Sequence, residues 1–168
     1  MNELIALRLI HVLGGIFWVG TGLFTAFFLL PVLKESGPAA AQVMMGLQRR
    51  KLLTWLPLSA ILTILSGARL LMITSNGFSR AYFATAPGKV YSVAAIMAVV
   101  GFVLSLIVSR PGTARMSDLS SIAVSDEINR DRIKAEIAAL QKRVALSSTI
   151  AVLLLILSAS GMAIARYL

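Results

Sequence analysis

The one histidine of this chain, His11, lies within the first long apolar run, followed by Gly14, Gly15, Trp18 and Gly22. On a helix these positions share or adjoin one face, because three-, four- and seven-residue steps return to the same side. The chain has no cysteine and its acids lie outside the apolar runs, so the imidazole is the strongest metal donor those runs offer. Two readings of the face are open. In one, the glycines let helices approach closely and His11 bonds a neighbouring carbonyl. In the other, the glycines leave room for a flat ligand beside the imidazole, with Trp18 against its plane.

Charge favours the second reading. Arg8 precedes His11 by one turn, and Arg69, Lys89 and Arg166 stand at the ends of other apolar runs on the same side, where Glu3 is the sole acid. Cations at membrane depth are expensive and mark either snorkelling or function. A haem b would use them, its iron held by His11 and its propionates facing Arg8, Arg69 and Lys89. With one histidine, the second axial position is unassigned; its candidates are Met97, which lies about as deep in the third run, Lys89 if burial deprotonates it, and His11 of a second copy in a homodimer. Copper(I) passage along His11, Met72, Met97 and Met162 is a competing expectation. A ligand-free membrane scaffold is another.

These residues need apolar elements to hold them. Of 168 residues, 58% are hydrophobic and 14% charged, a balance that belongs in a bilayer rather than in a soluble domain. Runs over residues 4–33, 52–73, 88–109 and 144–166 are each long enough to cross about 30 Å of hydrocarbon. The expected fold is all-α, a single integral membrane domain over residues 1–168 built as a four-helix bundle, with the first span uncleaved. The connections before the second and fourth spans hold Lys34, Arg49, Arg50, Lys51, Arg110, Arg115, Arg130, Arg132, Lys134, Lys142 and Arg143. The other side has Arg8, Arg69, Arg80, Lys89 and Arg166, so eleven basic residues face five and both termini are expected outside. A bacterial inner membrane is the expected location, with the lipid bilayer and a membrane redox protein as partners.

No glycine or proline occurs between Gly112 and Gly161, and Ile133, Ile137, Leu140 and Val144 recur at helical spacing. The fourth span is therefore expected to begin in the cytoplasm, with Ser125 as N-cap, Asp126 and Glu127 in the first turn, and pairs Asp126–Arg130 and Arg132–Glu136 along its surface. Residues 38–48 predict a short interfacial helix, and Pro57 a bend in the second span. Outside, Asn76-Gly77 predicts a turn, with Phe78, Tyr82 and Phe83 at the headgroup level over the mouth of the bundle.

Several classes are excluded. The net charge of +9 arises from residues flanking apolar runs, without a basic patch interleaved with aromatics, so nucleic acid is not expected as a partner. No serine, histidine and acid set falls within the spans, and no phosphate loop or dinucleotide fingerprint is present.

Leu9-Ile10-His11-Val12-Leu13 with Trp18, then Gln48-Arg49-Arg50-Lys51-Leu52 leading to Pro57, Thr63 and Gly67, then Lys89, and the ending Ala163-Ile164-Ala165-Arg166-Tyr167-Leu168, resemble small four-span bacterial membrane proteins. These are the copper-resistance D-like and HemJ-like group, the latter haem-containing protoporphyrinogen oxidases. The resemblance implies that His11 matches a first-span haem ligand, Lys89 a third-span lysine, and Arg49 and Arg50 the basic pair before span two. The HemJ-like pattern has further histidines where this chain has Pro31-Val32-Leu33-Lys34 and Pro87-Gly88-Lys89, and a proline early in span four that is absent here. The ending and Pro31 lie closer to the copper-resistance D-like branch.

Overall fold

The computed structural model describes residues 2–36, 39–125 and 128–168, and they contain helices and turns without a strand. Helix α1 (Asn2–Phe24) passes through a π turn (Thr25–Leu29) into α2 (Leu30–Glu35), and α3 (Ala39–Arg49) leads to α4 (Leu52–Thr74). A short α5 (Arg80–Ala84) precedes α6 (Ala86–Leu104), which continues through a second π turn (Ser105–Ser109) into α7 (Arg110–Ser125). Helix α8 (Arg130–Ile164) ends in a 3₁₀ turn (Ala165–Tyr167). Four continuous helical segments are long and apolar enough to cross a membrane: Asn2–Leu33, Leu52–Thr74, Ala86–Ser120 and Arg130–Tyr167.

Both π turns end two residues before a proline, and the sequence explains why. The Leu30 amide donates five residues back to Thr25 O ahead of Pro31, and the Arg110 amide donates to Ser105 O ahead of Pro111. A proline has no N–H to donate and its ring presses on the carbonyl four residues earlier; a widened turn relieves that clash without ending the helix.

The segments pack as two hairpins, α1 with α4 and α6 with α8, which meet through α4 against α6 and α1 against α8. Helices α1 and α6 sit at opposite corners, and side chains bridge them: the Trp18 and Phe102 rings meet edge to face at 5.9 Å. Around that pair lie Ala60, Ala98 and Leu155, whose small or branched side chains fill the centre. Most large apolar side chains, among them Leu13, Ile16, Phe28, Leu65 and Ile96, point outward, as lipid contact requires of a bundle with only four helices. Polar contacts between helices are few and local: Ser158 Oγ donates to Ala94 O at 2.7 Å, and Ser109 Oγ lies 2.9 Å from Ser147 Oγ.

The structure departs from the sequence-based expectations in the long connection. The third span, like the fourth, continues beyond the apolar run, so α7 and the first part of α8 form a helical hairpin with Leu119 and Ile133 buried. Ser125 therefore ends α7 instead of capping α8, which starts at Arg130 with Asn129 at the cap position and no side-chain cap bond. Asp126 and Glu127 lie outside the described residues, as does the pair Asp126–Arg130. Glu136 pairs across the hairpin with Arg115 at 3.3 Å rather than along its own helix with Arg132. The unbroken entry of α8 into the apolar region is as expected.

Helix α3 occupies the place of the expected interfacial helix, with Pro38 outside the described residues, and α4 runs continuously through Pro57. The Asn76-Gly77 turn is present: Asn76, Gly77 and Phe78 all have positive φ, and Ser75 Oγ accepts from the Phe78 amide at 2.9 Å. Helix α5 packs against the start of α6 and no other helix among the described residues. It flanks the end of the bundle where the sequence suggested a cover over its mouth.

Candidate functional site

His11 projects from α1 toward α4. Its Nδ1 lies 2.8 Å from the Thr63 carbonyl oxygen, and since a carbonyl can only accept, Nδ1 carries the proton. In the neutral ring the lone pair then belongs to Nε2. The Thr63 carbonyl also accepts from Ser66 Oγ at 3.1 Å, while the Thr63 hydroxyl turns back to Ser59 O at 2.8 Å. Four residues of one α4 face, Ser59, Thr63, Ser66 and Gly67, thus build the seat of the imidazole.

Close approach explains the glycines. A Cβ placed on Gly67 would stand 2.6 Å from His11 Cε1 and 2.9 Å from Nδ1, so the ring rests directly on the α4 backbone. A Cβ on Gly14 would stand 2.6 Å from Thr63 Oγ1 and 3.4 Å from Ser59 O, and one on Gly15 would sit 3.7 Å from Thr63 Cγ2. The face that the sequence offered as room for a flat ligand is filled by α4. Gly14 serves helix packing here, because small residues are what allows a backbone to approach a side chain this closely, while Gly15 faces Thr63 at ordinary contact distance. Trp18 is likewise a core residue, 7% exposed and packed among Ala60, Ala98, Leu155 and Phe102, rather than the wall of a cleft. Nothing lies within 4 Å of a Cβ on Gly22.

The cations are not gathered around the imidazole as a set. Arg69 is held by Glu3, Nη2 to Oε1 at 2.7 Å and Nε to the same oxygen at 2.8 Å, and its Nη1 lies 3.7 Å from Met72 Sδ. Arg8 and Lys89 are exposed and form no ion pair among the described residues. Met97 is on α6, which makes no close backbone approach to α1. The structure therefore brings His11 together with Gly14, Gly15, Thr63 and Gly67, and leaves Arg8, Lys89 and Met97 on their own.

What remains at His11 is a single oriented donor. His11 is half-buried, and its Nε2 has no hydrogen-bond partner among the described residues. No cluster of three or more histidine, cysteine or acidic side chains exists among the described residues. A metal whose equatorial ligands arrive with it needs no more than one or two protein ligands. Holding Nδ1–H on a backbone carbonyl is also how a ligating imidazole is usually fixed in tautomer and orientation. A single imidazole nitrogen suits a metal whose other ligands arrive with it, and beside it the face of Gly14 and Gly15 is occupied by α4.

Ser59, Ser66 and Thr63 were legible as a polar stripe at four- and three-residue steps on span two. Thr63 and Gly67 entered the sequence reading through the family resemblance alone. No family model matches the chain, and no match is found among curated proteins or solved structures.

Proposed function

We propose that this is a small multi-pass membrane protein that holds a b-type haem through Nε2 of His11 and serves electron transfer or a membrane redox partner. The observation that carries the reading is the bond from His11 Nδ1 to Thr63 O, which orients the ring and leaves Nε2 without a protein partner among the described residues. Bound there, haem would supply one-electron chemistry. The chain's own part is to orient the ligand: Thr63 fixes the tautomer, Gly67 sets the ring's height on α4, and Gly14 lets α1 come close enough for the bond to form. Arg8 and Lys89, exposed and without an ion pair among the described residues, are among the cations at this end available to carboxylates of the ligand; Arg69 is already committed to Glu3.

Orientation belongs to the same proposal. Both chain ends lie at the end of the bundle marked by Glu3, Arg69 and Arg166, and the basic connections at the other, a charge distribution that supports termini outside a bacterial cytoplasmic membrane by the positive-inside rule. In a homodimer, His11 of a second copy would be a further residue able to hold the haem. The resemblance to HemJ-like oxidases keeps protoporphyrinogen dehydrogenation as the enzymatic alternative, tested by complementing a strain that lacks that oxidase.

The direct test is a reduced-minus-oxidised absorption spectrum of the purified protein beside His11→Ala. A Soret band that is lost or shifted in the variant is expected. Absence of the band from wild-type protein expressed with ample haem, or a band unchanged in the variant, overturns the assignment. Metal analysis of the same sample distinguishes iron from copper.

A further inference from the structure

At the end of the bundle that carries the basic connections, α7 and α8 leave between them a groove of about 280 Å³ lined by Val108, Gly112, Leu140 and Val144 together with Arg115 and Arg143. We propose that this groove seats an anionic phospholipid, its phosphate between the two guanidinium groups and an acyl chain along the apolar residues. The site is independent of any ligand at His11.

Three observations support the occupant. The groove sits where the apolar run of span three gives way to charge, with Ile107 and Val108 on one side and Arg110 and Arg115 on the other, and where Val144 meets Arg143 on α8. A ligand there has to be apolar at one end and charged at the other. Second, the charge balance is positive: Arg115 is partly neutralised by Glu136, which accepts from both its Nε and Nη2 at 3.3 Å, while Arg143 has no ion pair or hydrogen bond among the described residues. The Glu136 contact also fixes the Arg115 fork, leaving its remaining N–H groups to be directed elsewhere. Third, guanidinium groups between helices at the charged boundary of a membrane protein are the chemistry that selects phosphate headgroups with net negative charge over zwitterionic ones. A second groove at the same end, lined by Phe17, Trp55, Leu58 and Ser59, carries a single cation, Arg50, and serves as the internal comparison.

The experiment titrates the purified full-length protein in neutral detergent with fluorescent phosphatidylglycerol and phosphatidylcholine. Phosphatidylglycerol is expected to bind tighter, and Arg143→Gln to weaken it about tenfold, while Arg50→Gln, which removes the same charge from the same end, changes it less than about twofold. Leu140→Trp fills the groove without altering charge and is expected to abolish the preference; it decides the matter if Arg143→Gln does not yield monodisperse protein. Equal affinity for the two lipids, equal losses in Arg143→Gln and Arg50→Gln, or displacement of the bound lipid by millimolar inorganic phosphate overturns the proposal.

Discussion

Gly67→Ala tests the seat of the imidazole with the smallest change available. The added methyl would stand 2.6 Å from His11 Cε1 and 2.9 Å from Nδ1, whereas carbon atoms meet comfortably at about 3.5–4.0 Å. The ring has to retreat by about 1 Å, and from its present 2.8 Å the Nδ1 contact with Thr63 O then passes beyond hydrogen-bond range. Losing one such bond costs about 0.5–1.5 kcal/mol, and forcing a methyl into a filled contact about 1–3 kcal/mol more. Set against the gain of about 1 kcal/mol that alanine brings within a helix, a net destabilisation of roughly 0.5–3.5 kcal/mol is therefore expected. If His11 ligates iron, losing the partner that orients it should also weaken haem binding by about 10- to 100-fold. Gly20→Ala is the control, since nothing lies within 4 Å of a Cβ there and alanine is the better helix former by about 1 kcal/mol. Unfolding in mixed micelles measures the first quantity and haem titration followed at the Soret band the second. Should Gly67→Ala match Gly20→Ala in both, the packing argument fails and with it the case for an oriented Nε2.

Trp18→Ala removes the centre of the packed interior, where the indole is 7% exposed against Phe102; a loss of about 3–5 kcal/mol is expected, and unfolding measurements showing less than 1 kcal/mol would place the ring at a surface. Glu3→Gln and Arg69→Gln, singly and together, should each shift stability by under about 1 kcal/mol, with a coupling of similar size, because both side chains are roughly half exposed, at 58% and 45%; a double-mutant cycle with coupling well above that would reveal a desolvated pair. The absence of native cysteine makes sidedness accessible. In intact cells an impermeant maleimide should label Tyr167→Cys but not Ser117→Cys, both positions being exposed, and the reverse pattern inverts the proposed orientation.

The sequence alone determined that the chain forms four apolar helices, since runs of that length leave the backbone no other way to satisfy its hydrogen bonds in a bilayer. It also determined the passage of span four into a polar helix, because nothing between Gly112 and Gly161 breaks one. The π turns before Pro31 and Pro111 were not legible, because proline alone does not say whether a helix ends or widens. What the tertiary structure decided is which helix fills which face. Gly14 and Gly15 read equally well as space for a ligand or as space for a neighbour, and only the placement of Thr63 against them settles it in favour of the neighbour. Likewise Arg69 looked unpaired within its own span until Glu3, 66 residues away in sequence, met it, and Glu136 chose Arg115 across the hairpin over Arg132 along its helix. Helical periodicity fixes the direction in which a side chain leaves its own axis; the partner it finds depends on the neighbouring helix's position and register, which no single segment carries.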